Sequence, residues 1–270
     1  MKLKRMKLKD QENYTLCLLS GDQWISFRAV LDIVPDDETK ERVELEKASD
    51  DIIAFLKKRE YLEPKLNEII EVAKKVTTNL LIADDDVIPF RPLMYRDFML
   101  CETHIINSGR GFVKYNMPKV LPFVKVYEGL SAIGAFCVFN DFSARNVQLE
   151  EMKKTGFGPC KSKDFASAIS NVVVTADEIL PVIDSLKTRV IINDKIVAEG
   201  QLNGFYHSLG KAVAYASKGE HVYAGEFMGT GTIPNCCGME NDILLECGDI
   251  IRLEIDKIGS LTNPISIKAV

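Results

Sequence analysis

The sequence predicts an α+β chain, β-rich overall, with a smaller helix-bearing region at its N-terminus. Three observations carry this. Apolar residues recur at helical spacing between residues 36 and 76, alternating apolar and polar residues take over after Pro89, and Asn193-Asp194 separates two alternating runs as a two-residue hairpin turn does. The 270 residues include 17 Gly and 10 Pro, with 46% hydrophobic and 27% charged. That composition excludes a disordered, collagen-like or coiled-coil chain. Thirty-four basic against 39 acidic residues leave a net charge of −5. No nucleic-acid or membrane partner is expected, since phosphate binding needs clustered, uncompensated Lys and Arg.

In chain order, the basic run from Met1 to Asp10 comes first, with Lys2, Lys4, Arg5, Lys7 and Lys9 among Leu3, Met6 and Leu8. It reads as a solvated edge strand. The apolar run Tyr14 to Leu19 is too short for a signal peptide, and no small-residue cleavage site appears. Strands are expected from Thr15 to Leu19 and from Trp24 to Val30, joined by a turn at Ser20, Gly21 and Asp22. Val43, Ile52, Ile53, Leu56, Leu66, Ile69, Ile70 and Val76 then predict two helices broken near Pro64. Asp84, Asp85 and Asp86, followed by Pro89 and Pro92, mark a linker, so the chain divides into residues 1–88 and a β-rich unit over 89–270. The stretch Leu130 to Phe139 is about half a membrane span, and no transmembrane segment is expected. Ser143 is placed to cap a helix through Val147 and Met152 that ends at Gly156. Lys187 to Val197 is the hairpin, and Ile251, Leu253 and Ile255 alternate with Arg252, Glu254 and Asp256 in a strand with one dry face.

Seven cysteines form an odd set at no zinc-finger spacing, and Cys17, Cys101, Cys137, Cys236 and Cys247 have the apolar neighbours of small core residues. A reducing, cytoplasmic setting is expected. The vicinal pair Cys236-Cys237 is read as packing. There is no Gly-x-Ser-x-Gly elbow, Asn107-Ser108-Gly109-Arg110-Gly111 lacks the Lys of a phosphate loop, and Gly229-Thr230-Gly231-Thr232 follows no βαβ unit. Three histidines, His104, His207 and His221, do not make a His-rich zinc site by spacing.

Oxygen chemistry remains. Tyr95 to His104 holds Asp97, Glu102 and His104 within a few positions, and the apolar run Ala135 to Phe139 ends in Asn140-Asp141. A strand that ends this way delivers its carboxylate to the rim of a core, where metal ligands and catalytic groups sit. Taken alone, each motif reads more readily as a helix cap or a surface pair than as a functional group.

Four ordered blocks resemble the fumarylacetoacetate hydrolase family: Arg96-Asp97-Phe98 with His104 following, Asn140-Asp141-Phe142-Ser143-Ala144-Arg145-Asn146-Val147-Gln148, Gly158-Pro159-Cys160-Lys161-Ser162-Lys163-Asp164-Phe165, and Gly229 to Glu240. The resemblance covers residues 89–270 and implies a mixed β-sandwich roll, usually paired as a homodimer. It implies that Asp97 and Asp141 are ligands of Mg²⁺ (or Ca²⁺ or Mn²⁺), that His104 paired with Glu240 is the base that deprotonates water, and that Lys163 and Arg145 supply positive charge to a developing enolate. Gln148 and Thr232 would orient substrate oxygens. The implied activity is metal-dependent cleavage of a C–C bond in a small β-dicarbonyl or acylpyruvate-type acid. The chain departs from the family in one respect. Between Asp97 and Asp141 only Glu102 and Glu128 are acidic, so the family's Glu-x-Glu ligand pair is absent there and the segment from Gly111 to Ser131 is shortened. Glu44-Leu45-Glu46, the one such pair, lies in the helical N-terminal region and reads as a solvated face. Two other readings stay open: a non-catalytic relative that binds a metabolite or partner, and a 2-keto acid dehydratase or isomerase on the same fold.

Overall fold

A computed structural model of the chain describes residues 1–8, 13–34, 39–76, 82–83, 87–98, 100, 129–155 and 158–266. The first sheet opens with β1 (Lys2–Leu8), β2 (Tyr14–Ser20) and β3 (Gln23–Ser26), an antiparallel meander. β1 is an interior strand: on its far side it pairs with β9 (Val172–Thr175), and β4 (Ile82–Ala83) adds to it beyond Lys7. This corrects the expected solvated edge. Two of its basic residues set their charged heads over aromatic rings, the Lys4 ammonium 6.0 Å from the Trp24 ring centre and the Arg5 guanidinium 5.2 Å from that of Tyr14.

The expected strand from Trp24 to Val30 ends at Ser26. There the hydroxyl accepts the Ala29 N–H at 3.1 Å and starts α1 (Phe27–Ile33), whose buried Phe27, Val30 and Leu31 lie at helical spacing. Cap chemistry overrode an alternating pattern. The helical region holds three further helices, α2 (Lys40–Lys47), α3 (Ile52–Lys57) and α4 (Arg59–Val76), instead of two. Asp51 caps α3 through the Ile53 and Ala54 N–H groups, and the chain turns at Lys58. Pro64 lies inside α4, one and a half turns from its start, where its missing N–H removes a single rung. These helices bury Leu45, Ile52, Phe55, Leu62, Leu66 and Ile69 against the first sheet, and Phe27 meets Phe55 edge-to-face at 5.1 Å. Glu44 pairs with Lys47 and Lys58, as a solvated face does.

Residues 135–141 and 167–175 run side by side. β6 (Ala135–Phe136) pairs with β9 in the first sheet, while β7 (Phe139–Asp141) pairs with β8 (Ser167–Ile169) as a separate ribbon. Ser170 bridges the break: its N–H donates to the Val138 carbonyl at 2.8 Å and its hydroxyl accepts from the Val138 N–H at 3.0 Å. α5 (Arg145–Thr155) follows β7. The helix begins at Arg145, so Ala144 and not Ser143 stands at its cap position, and the Ser143 hydroxyl donates to the Asp141 carbonyl; Gly156 lies outside the described residues.

After β9 come the single turn α6 (Ala176–Ile179) and then β10 (Lys187–Ile192) and β11 (Lys195–Gln201), joined by Asn193 and Asp194 at φ 48° and 63°, the expected hairpin turn. With β13 (Ile250–Ile255) and β14 (Gly259–Pro264) they form a four-stranded antiparallel sheet in the order β11-β10-β13-β14. α7 (Leu209–Ala216) packs on this second core with Val138, Val174, Leu186 and Leu261. The last element is a parallel two-stranded ribbon of β5 (Met94–Asp97) and β12 (Glu226–Gly229). The architecture is α+β, as predicted.

Candidate metal and catalytic site

β5 and β7 each end in an aspartate, and a three-ring cluster locks the two ends together. Tyr95 lies 5.2 Å from Phe139 and 5.6 Å from Phe227 between ring centres, and Phe139 lies 5.1 Å from Phe227. β5 is held to β12 by a charge pair as well. Arg96 Nε donates to Glu226 Oε2 at 2.8 Å, and the Glu226 side chain is almost fully buried. Asp97 then lies across the partner strand, its Oδ1 only 2.5 Å from where a side-chain carbon would stand at Gly229. A residue with a β-carbon there would force this carboxylate to move.

Asp97 and Asp141 converge closely enough to repel each other. The Asp97 carboxyl is held above its ordinary value, first because packed protein behind it strips water from a group still open on one side, and second because of the Asp141 charge. Tyr95 completes the arrangement with a hydrogen bond to Asp97. Burial and the charges of Asp97 and Asp141 push its phenol well above its usual value, so it stays protonated. Lys163 Nζ makes an ion pair with Asp141 and supplies the opposing charge.

A second group lies on α5 and the loop after β12. Arg145 Nη1 donates to Gln148 Oε1 at 2.6 Å and Nη2 to Cys237 Sγ at 3.3 Å. Glu240 Oε2 accepts the Cys237 N–H at 3.0 Å and closes a short 3₁₀ turn, Gly238–Glu240. Thr232 is part-buried on the same loop, three residues after Gly229. The structure therefore joins Asp97, Asp141 and Lys163, and separately Arg145, Gln148 and Glu240 through Cys237. His104, together with Glu102, Glu128 and Cys101, lies outside the described residues.

Two residues of the site were missed by sequence reasoning. Tyr95 stands two positions before Asp97 on one strand, and period-two spacing alone puts both on one face. Cys237 is buried, as the expected packing role requires, but also receives the Arg145 guanidinium. Its neighbour Cys236 is held as a thiol, pushed up to about 12 by burial. Cys247 is exposed, which corrects its expected core place, and Cys17 is buried as expected. His207 and His221 make ring contacts with Tyr206 and Tyr223.

The donor chemistry at Asp97 and Asp141 fits a hard divalent cation. Two carboxylates suffice for Mg²⁺ when substrate and water complete the octahedron, and the mutual repulsion of the pair is what a cation relieves. Among the described residues no group of three or more His, Cys, Asp or Glu side chains converges.

The α+β fold is one seen in solved structures of two hydrolases. The fumarylacetoacetate hydrolase of Exiguobacterium antarcticum superposes with a TM-score of 0.60 at 14% identity, covering 99% of this chain and 100% of that one. The maleylpyruvate hydrolase of Sphingobium sp. SYK-6, solved with manganese(II) and pyruvate, gives 0.56 at 16% identity over 98% and 99%. The sequence profile of the fumarylacetoacetate (FAA) hydrolase C-terminal domain matches residues 118–266, and the chain belongs to that family. By sequence it is 28% identical over 145 residues to the mitochondrial oxaloacetate tautomerase fahd2 of Xenopus laevis, covering 53% of this chain and 44% of that protein. The chain spans about half the length of the curated relatives it matches. No helix among the described residues is long and apolar enough to cross a membrane.

Proposed function

We propose that this chain is a divalent-metal-dependent hydrolase that cleaves a C–C bond in a small β-dicarbonyl or acylpyruvate-type acid. The observation that carries the reading is the convergence of Asp97 and Asp141, with Lys163 on one carboxylate and Tyr95 on the other. Asp97 and Asp141 would hold Mg²⁺ or Mn²⁺, which when bound supplies Lewis-acid polarisation of a substrate carbonyl. His104, oriented by Glu240, takes a proton from water as its oxygen adds to one carbonyl carbon. The bond to the neighbouring carbon then breaks, leaving an acid and an enolate that collects a proton. Lys163 and Arg145 face the charge that grows on the enolate oxygen, and Gln148 and Thr232 orient the substrate. A homodimer in the cytoplasm completes the proposal.

The tautomerase name of the Xenopus relative favours a second reading, in which the same groups stabilise an enolate without bond cleavage. Calorimetric titration with Mn²⁺, alone and with pyruvate or oxalate, tests the metal site. Binding that strengthens with the chelating acid is expected; silence under both conditions points to a non-catalytic relative. His104→Ala should abolish turnover of an acylpyruvate while the circular dichroism spectrum stays unchanged. Full activity in that variant removes His104 from the mechanism. Product analysis by NMR separates cleavage from tautomerisation.

A further inference from the structure

We propose that Glu151 is the positioning residue that presents Lys163 to the aspartate pair. Arg145, Gln148 and Glu151 follow one another at three-residue spacing along α5, so the helix that carries two site residues also carries this carboxylate. Glu151 reaches across to the next loop and grips its backbone. Oε2 accepts the Cys160 N–H at 2.9 Å, the Ser162 N–H at 3.3 Å and the Ser162 hydroxyl at 2.8 Å, while Oε1 accepts the Lys161 N–H at 2.7 Å. The buried Ser162 returns the contact: its carbonyl accepts the Ala144 N–H at 2.8 Å, just before α5 begins. The three residues ahead of Lys163 are therefore fixed to the helix by one side chain. The Lys163 and Asp164 N–H groups both fold back to the Cys160 carbonyl, and the Lys163 side chain meets Asp141.

Neighbouring charges do not share this task. Glu150 pairs with Lys154 and Lys161 with Asp164, each across exposed surface. Hydrogen bonds to an ionised acceptor are the strong ones, and the catalytic meaning of the grip rests on the role proposed for Lys163 above.

Competitive acetylation with limiting acetic anhydride, read by peptide mass spectrometry, compares Lys163 with Lys161, whose side chains are 30% and 81% exposed. In the unaltered chain Lys163 should react more slowly. Glu151→Gln, which loses the charge and turns one accepting oxygen into a donor, should raise its reactivity by about tenfold or more, with Lys161 unchanged. Glu151→Asp, which keeps the carboxylate, should restore part of the protection. Equal Lys163 reactivity in the folded glutamine variant and the unaltered chain overturns the proposal. If that variant does not fold, hydrogen exchange in the unaltered chain decides. Slow exchange at Cys160, Lys161 and Ser162 supports the grip, and exchange at the unprotected rate overturns it. Absence of manganese binding sinks the proposed function instead, and the labelling alone then judges the linkage between Glu151 and Lys163.

Discussion

A methyl group added at Gly229 would stand 2.5 Å from Asp97 Oδ1, closer than side chains pack, and a tight 3.2 Å from the Tyr95 hydroxyl. Gly229→Ala should therefore displace the Asp97 carboxylate, costing about 1–3 kcal/mol of stability as overpacking and weakening manganese binding by about tenfold or more. Calorimetry and urea unfolding check both effects; undiminished metal affinity removes the close approach from the site. At this scale much was legible in advance. Asp97, Asp141 and Lys163 carry charge in short, distinctive blocks, and the structure brings them together. Tyr95 and Glu151 were not legible, because their roles depend on which backbone or carboxylate lies opposite. A tyrosine in a strand and a glutamate in a helix are ordinary residues until that neighbour is known.

Between elements, α4 and α6 are joined by Arg59 and Asp177, a two-pronged pair with contacts of 2.6 and 3.0 Å. Hydrogen bonding from Arg59 holds the Asp177 carboxyl well below its ordinary value of 3.8, with further help from Thr175 and the N-terminal amine. The folded chain keeps this carboxylate charged at pH values where the unfolded chain takes up a proton. Its contribution is fully present above 3.8 and is lost as the pH falls below it. Asp177→Asn should cost about 0.5 kcal/mol at pH 7, a small value because the side chain is 56% exposed, and the difference should shrink on acidification below 3.8. Urea unfolding at several pH values measures this, and a difference that grows in acid contradicts it. Elements with a local turn signal were readable, as the Asn193-Asp194 hairpin shows. α1 was not, because one serine hydroxyl converts an alternating run into a helix, and hydrophobic period alone does not report that.

For the whole molecule, the sheet order β3-β2-β1-β9-β6 passes from the first residues of the chain into the segment that leads to Asp141. The Met1 amine extends the same seam, reaching the Thr175 hydroxyl at 2.6 Å and Glu178 at 2.7 Å. Expressed without residues 1–88, the remainder should lack a cooperative thermal transition, because β9 would face water along a full edge. A sharp melt of residues 89–270 alone contradicts this. No local pattern in residues 2–8 announces a partner so distant in sequence, which is why an interior strand reads as an edge.

β9 has a further effect. Its successive residues Val173 and Val174 point to opposite faces, one into the helical core and the other into the core under the second sheet. The strand is a party wall, and neither room can be remodelled in isolation. A change that loosens the packing around Phe55 should be felt on the side where Val138 leads towards Asp141, so variation far from the paired aspartates can still shift them.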